Sequence, residues 1–207
     1  MTQDSPPTRR ESGDERRLAI AAAARDIIVE KGLEGLRTRD IAERVGINIA
    51  TLHYHVPSKA ELVALVAESI RHDFRVQAQR NSRQGKTALE LLRLEFADFR
   101  ETTLDMPELV IVLTVLTEKA RIEPAIRDIM QPMYDHWRDE FAEIFARGIA
   151  EGMFRANLDP TSAALITTGA LSDHWRKGFS TRFPLDLLIA ELERAFIADP
   201  KLLEDHS

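Results

Sequence analysis

A chain of 207 residues with 44% hydrophobic and 30% charged side chains is long enough to bury a substantial core and reads as soluble and globular. The absence of cysteine excludes disulfide scaffolds, thiol catalysis and Cys-based zinc sites, and no apolar run approaches the roughly 18 residues of a membrane span. Residues 1–59 sum to +1 and the remainder to −7. This excludes a non-specific nucleic-acid coat, but not a small basic footprint on an acidic body.

Residues 1–14 carry Ser5, Pro6, Pro7, Ser12 and Gly13 among charges and almost nothing apolar, the composition of a disordered arm. Arg9 and Arg10 precede no apolar stretch, so no secretory signal is predicted and a cytoplasmic location is expected. Arg9, Arg10, Arg16 and Arg17 have the reach to touch phosphate or a minor groove. A helix is predicted from Glu15 to Lys31, with Leu18, Ala22, Ile27 and Ile28 on its apolar face and Gly32 closing it.

Residues 37–61 then read as two short helices around a tight turn. Thr38 is placed to cap the first, with Asp40 in its first turn, where the helix dipole favours negative charge. Ile41, Ala42 and Val45 form its apolar stripe. Gly46 sits where the turn needs a positive φ, Ile47 plugs the corner, and Asn48 caps a second helix running to about His55. Pro57 ends that helix, and Ser58 to Glu61 is a capping box for the next. This is the layout of a helix-turn-helix, whose second helix enters the major groove.

The next helix runs to about Gln79, burying Leu62, Leu65, Val66, Ile70 and Phe74, and spans about 30 Å at 1.5 Å per residue. Such a helix is suited to connect a head to a body and to swing like a pendulum. Gly85-Lys86-Thr87 ends like a phosphate-binding loop, but no strand precedes it. Thr87 to Glu90 reads instead as a capping box. Helices follow at about 87–103, 106–121 and 123–151, the last containing Pro132, which is expected to kink it. Asp159-Pro160 opens a helix to about Lys177, rich in small residues, and Pro184 precedes a final helix from Leu185 to about Ile197. The fold class is all-α, with about nine helices: residues 15–60 as a three-helix DNA-binding head and 61–207 as a helical body.

Thr-Arg-Asp-Ile-Ala, then Gly46-Ile47, then Ala-Thr-Leu-His-Tyr-His-Val-Pro-Ser-Lys resembles the DNA-binding signature of the tetracycline-repressor (TetR) family. The resemblance is specific over about residues 16–75. It departs from the pattern at His53, where a tyrosine is usual, and at Val56, often a phenylalanine. It implies that the start of the first motif helix and most of the second face DNA. Arg39 then becomes the candidate for a bidentate contact to guanine O6/N7, and Thr38 a phosphate contact. Asn48, Ile49 and Ala50 open the recognition helix, with Ile49 and Ala50 suited to thymine methyls. Thr51, His53, Tyr54 and His55 carry polar tips toward backbone or bases, and Lys59 is a phosphate anchor at a helix N-terminus.

The same resemblance implies an effector pocket between the central body helices. Phe96, Phe99, Met106, Leu109, Leu113, Met130, Met133, Tyr134, Trp137 and His174 are its candidates, and His136 and His174 are the polar groups of interest. It also implies a homodimer whose last two helices pair with their mates, through Ala163, Ile166, Gly169, Ala170, Leu188, Leu192 and Phe196. The expected partners are a double-stranded palindromic operator and a small, largely apolar effector, with no membrane, cofactor or metal. His53 and His55 lie two apart on a helix and no third ligand completes a metal set. No nucleophile elbow, HExxH or dinucleotide fingerprint marks an enzyme. A transcriptional repressor is the leading expectation. The alternatives are an activator of the same fold, and a helical carrier or enzyme that has lost DNA binding, against which the intact polar recognition surface argues.

Overall fold

The computed structural model describes residues 13–176 and 184–203, which form nine α-helices and two short 3-10 turns with no strand among them. The helices are α1 Gly13–Lys31, α2 Thr38–Val45, α3 Ile49–His55, α4 Lys59–Arg80 and α5 Ala88–Asp105. They continue as α6 Pro107–Ala120, α7 Pro124–Ala150, α8 Pro160–Arg176 and α9 Leu185–Phe196. The chain divides into two compact units, the first ending at Ile70 and the second starting at Arg71. No helix among the described residues is long and apolar enough to cross a membrane.

In the N-terminal unit α1 buries Ile20, Ala24, Ile27 and Ile28, while Leu18, expected on that face, is 56% exposed. The buried stripe is set by Ile20, Ala21, Ala23, Ala24, Ile27 and Ile28, which leaves Leu18 and Ala22, also expected on that face, exposed. α1 begins at Gly13, so residues 13 and 14 form its first turn rather than part of an arm. The rest of the proposed arm, with Arg9 and Arg10, lies outside the described residues. Ion pairs tie α1 to α2, the shortest of them from Arg44 and Lys31. Arg44 forks onto both Glu30 oxygens at 2.9 and 2.8 Å, and Lys31 Nζ stands 2.9 Å from Asp40.

The body is organised on α7. Its Phe141, Ile144 and Phe145 are buried among Leu92 and Phe96 of α5, Ala163 and Leu171 of α8, and Leu192 and Phe196 of α9. Phe145 meets Phe154 and Phe196 with ring centroids 5.4 and 4.7 Å apart. At Gly148 a Cβ would lie 2.0 Å from the Phe154 ring, so only glycine lets that ring lie against α7.

Side-chain caps fix the helix ends. Thr87 and Glu90 form the reciprocal box expected at the start of α5, and Asp159 accepts from the Ser162 amide at 2.8 Å to start α8. Gly152, at φ +73°, ends α7. One cap is non-local: the Ala88 amide donates to Glu151 at 2.7 Å, and this bond, with Arg147 beside it, holds the Glu151 carboxyl below its ordinary range.

Candidate nucleic-acid interface and body cavities

The turn before α3 is built by local rules. Gly46 takes the left-handed conformation (φ +73°, ψ +33°) that a side chain would strain, and the Ile47 amide returns to the Ala42 carbonyl at 2.9 Å. Asn48 then caps α3, its Oδ1 accepting from the Thr51 amide at 2.7 Å. The cap engages the Asn48 oxygen and leaves its amide nitrogen as a donor for a base edge. Thr38 does not cap α2. Arg37 occupies the cap position without a side-chain bond, and Thr38 is already the first helical residue.

Leu52 and Val56 point inward and are buried, which fixes the opposite side of α3 outward. Ile49 is 45% and Tyr54 84% exposed, and Asn48, Ala50 and His53 are exposed with them. Thr51 and His55 are half-buried. Arg39 on α2 and Lys59 on α4 are also exposed, and Thr38 is half-buried. All ten sequence-derived contact residues therefore keep accessible surface on three short stretches of the head. Tyr54 does not pack under the helix, and its ring meets the edge of His55 at 5.3 Å between centroids.

Arg17 was expected to reach toward phosphate. Its guanidinium instead donates to the His55 carbonyl at 3.0 Å, so a side chain of α1 satisfies the C-terminal end of α3. Arg17 thus ties α1 to α3, as Arg44 and Lys31 tie α1 to α2. Sequence periodicity gives no sign of such roles, because each partner is many residues away.

Two cavities open in the body, and Leu113, Tyr134 and Trp175 line both. The larger, about 440 Å³, receives Phe99, Met133 and Trp137 of the expected pocket residues, together with Phe74 of α4 and His136 of α7. The smaller, about 370 Å³, receives Met130 and is rimmed by Arg121, Arg127, Arg138 and Arg176. Tyr134 hydrogen-bonds Thr117, and burial pushes its phenol above the ordinary range. Phe96 and Leu109 line neither cavity because they are fully committed to packing, and His174 and Met106 also lie outside both. His174 is half-buried on α8, which lowers its imidazole pKa by desolvation.

Of the polar groups in the larger cavity, His136 was expected from the sequence, whereas Gln77, Arg83, Glu95, Asp98 and Thr102 were not. Arg83 ion-pairs with Glu95 and, at 3.3 Å, with Asp98. Gln77 donates to the Asp98 carbonyl at 2.9 Å and accepts from Thr102 at 3.2 Å. Among the described residues no group of three His, Asp or Glu gathers in a way that could hold a metal ion.

The small-residue seam on α8 also differs from expectation. Ala163 is buried against the body's own core, as are Leu192 and Phe196 of α9, so none of these three can meet a second chain. On α8 and α9, Leu165 (60%), Ile166 (58%) and Leu187 (65%) are large apolar residues left exposed, and a Cβ at Gly169 would meet nothing within 4 Å. Leu165, Ile166 and Gly169 share one face of α8 by helical spacing. Ala170 and Leu188 are half-buried at its edge.

Residues 20–66 match the family model of the bacterial regulatory proteins of the tetR family. The chain is 33% identical over 91 residues to the class D tetracycline repressor protein of Escherichia coli, covering 42% of this chain and 39% of that one. It thus spans about two fifths of that relative's length. In structure it is similar to a transcriptional regulator from Saccharomonospora viridis in complex with choline (TM-score 0.73, 23% identity, 89% of this chain and 98% of that chain). It is also similar to AibR in complex with isovaleryl coenzyme A and operator DNA (TM-score 0.69, 20% identity, 89% and 99%).

Proposed function

We propose that this chain, whose residues 20–66 match the family model of the bacterial regulatory proteins of the tetR family, is a homodimeric, ligand-responsive repressor that reads a palindromic operator. One observation carries this: α3 is anchored inward by Leu52 and Val56 and presents Asn48, Ile49, Ala50, His53 and Tyr54 outward, between Arg39 and Lys59. A helix held this way fits a major groove, with its first residues at base edges and the flanking cations at phosphate or guanine. The two heads of a dimer would meet half-sites about 34–36 Å apart or a near multiple.

The dimer face proposed is the exposed apolar surface of Leu165, Ile166, Gly169 and Leu187, a corrected version of the seam read from small residues. An isologous pairing there would cover surface that a monomer leaves in water. The larger body cavity is proposed as the effector site, with the apolar part of the ligand against Phe74, Phe99 and Trp137. Choline and isovaleryl coenzyme A, held by two structural neighbours, differ in sign of charge, so the neighbours leave the effector's class open. Whatever binds must favour one body state over the other, by about 1–3 kcal/mol or more, to release DNA.

Fluorescence anisotropy tests the reading with the duplex upstream of the protein's own gene and a scrambled duplex of equal length. Preference for the first by more than about a thousandfold at physiological salt supports a sequence-specific regulator. Equal affinities that fall together with salt would reduce it to a non-specific binder.

A further inference from the structure

We propose that the larger body cavity takes an organic cation with an apolar or aromatic body. The inference rests on the effector reading for its regulatory meaning, and on the cavity itself for its chemistry. Phe99, Trp137 and Trp175 stand nearly parallel in the wall, with centroids 4.5 to 6.4 Å apart. Trp175 is fixed by its indole N–H, which donates to Thr103 Oγ1 at 2.7 Å. Ring faces carry the negative part of the aromatic quadrupole and attract cations, most strongly where water is excluded.

The same cavity is lined by three carboxylates, Glu95, Asp98 and Glu140. Arg83 answers the first two, so its positive charge is already engaged within the wall. Arg71 and Arg75 also reach the lining, and both are held in interactions of their own. His136 stands 3.8 Å from Glu140. Burial raises the Glu95 carboxyl above its ordinary range despite Arg83, and the charge of Glu140 pushes the same way. The cavity therefore combines aromatic faces with two carboxylates, Asp98 and Glu140, whose partners Arg83 and His136 stand at 3.3 and 3.8 Å rather than in a close pair. A neutral apolar ligand would strip water from these carboxylates and give nothing back. An anion would meet Asp98 and Glu140, while the Arg83 guanidinium is already paired and Arg71 and Arg75 are held in interactions of their own. A cation satisfies both the rings and the acids.

Both tryptophans of the chain line this cavity, so intrinsic fluorescence reports on it directly. The full-length protein is titrated with phenyltrimethylammonium, with its uncharged isostere tert-butylbenzene, and with benzoate. The expected result is saturable quenching by the cation with Kd at least about tenfold below that of the isostere, and none by benzoate. Glu140→Gln and, separately, Asp98→Asn should bring the cation's Kd toward that of the isostere, with helicity by circular dichroism confirming the fold. Equal or tighter binding of the isostere or of benzoate overturns the proposal, as does a cation preference that survives both variants. The same ligands are then added to the DNA complex. A cation that binds with preference yet leaves operator affinity unchanged keeps the ligand class and overturns the effector reading instead.

Discussion

The recognition helix and the body cavity are held in place by different kinds of contact. Around α3 most devices are close in sequence: Gly46 turns the chain, Asn48 caps the helix three residues before the amide it serves, and Leu52 and Val56 fix its inner side. The cavity instead assembles Phe74 of α4, Phe99 of α5, Trp137 of α7 and Trp175 of α8, which meet only because α7 packs against its neighbours. Local rules thus specify the surface that would read DNA, and tertiary packing specifies the surface that would read a ligand.

Core disruption should separate the two most strongly. Phe141→Ala removes a fully buried ring from the centre of the body and should cost about 3–5 kcal/mol. Thermal unfolding followed by tryptophan fluorescence measures it, since Trp137 lies 5.8 Å from the Phe141 ring. A loss under about 1 kcal/mol would mean that the body is not organised on α7.

On the head, Arg39→Ala should lower discrimination between specific and scrambled DNA by about 1–3 kcal/mol. Lys59→Ala should weaken both duplexes alike and reduce the salt slope by about 1. The same profile for both variants would remove the division between base reader and phosphate anchor.

Asn48→Ala deletes the α3 cap and should cost about 1 kcal/mol of stability, with Asn48→Ser recovering most of it. A serine variant no better than alanine would show that the Asn48 amide matters for something other than capping.

The smallest effect concerns acid. Bonds from Ser162 hold the Asp159 carboxyl below its ordinary range. Its contribution is therefore present above the unfolded-state pKa of about 3.9 and is lost as pH falls through the lower folded value. Asp159→Asn, which keeps a capping oxygen, should flatten that acid limb in a circular-dichroism titration, whereas an unchanged limb would assign the transition to other carboxylates.

How far the sequence could be read follows the same division. The all-α class, the helix-turn-helix, the caps at Asn48, Thr87 and Asp159 and the left-handed Gly46 were visible because each depends on residues within a few positions of one another. Where the notion of a small-residue seam failed, at Ala163, Leu192 and Phe196, the sequence showed residue size but not which face α7 would cover. Phe96, Leu109 and His174 were plausible pocket residues by type, yet packing direction decided against them. Arg17 was grouped with the arginines that have the reach to touch phosphate, because its partner, the His55 carbonyl, is 38 residues away. Glu95 and Asp98 carry no spacing signal of their own, and Arg83, in the polar loop before α5, meets them only through the fold.

The most direct test of the central claim, that the outward face of α3 with Arg39 reads base edges, is dimethyl sulfate footprinting of guanine N7 on the bound operator. Protection should fall in two patches separated by about one helical turn or a near multiple, and Arg39→Ala should lose it at one guanine in each half-site. A bound duplex whose guanines all remain as reactive as in free DNA, with or without Arg39, would contradict it.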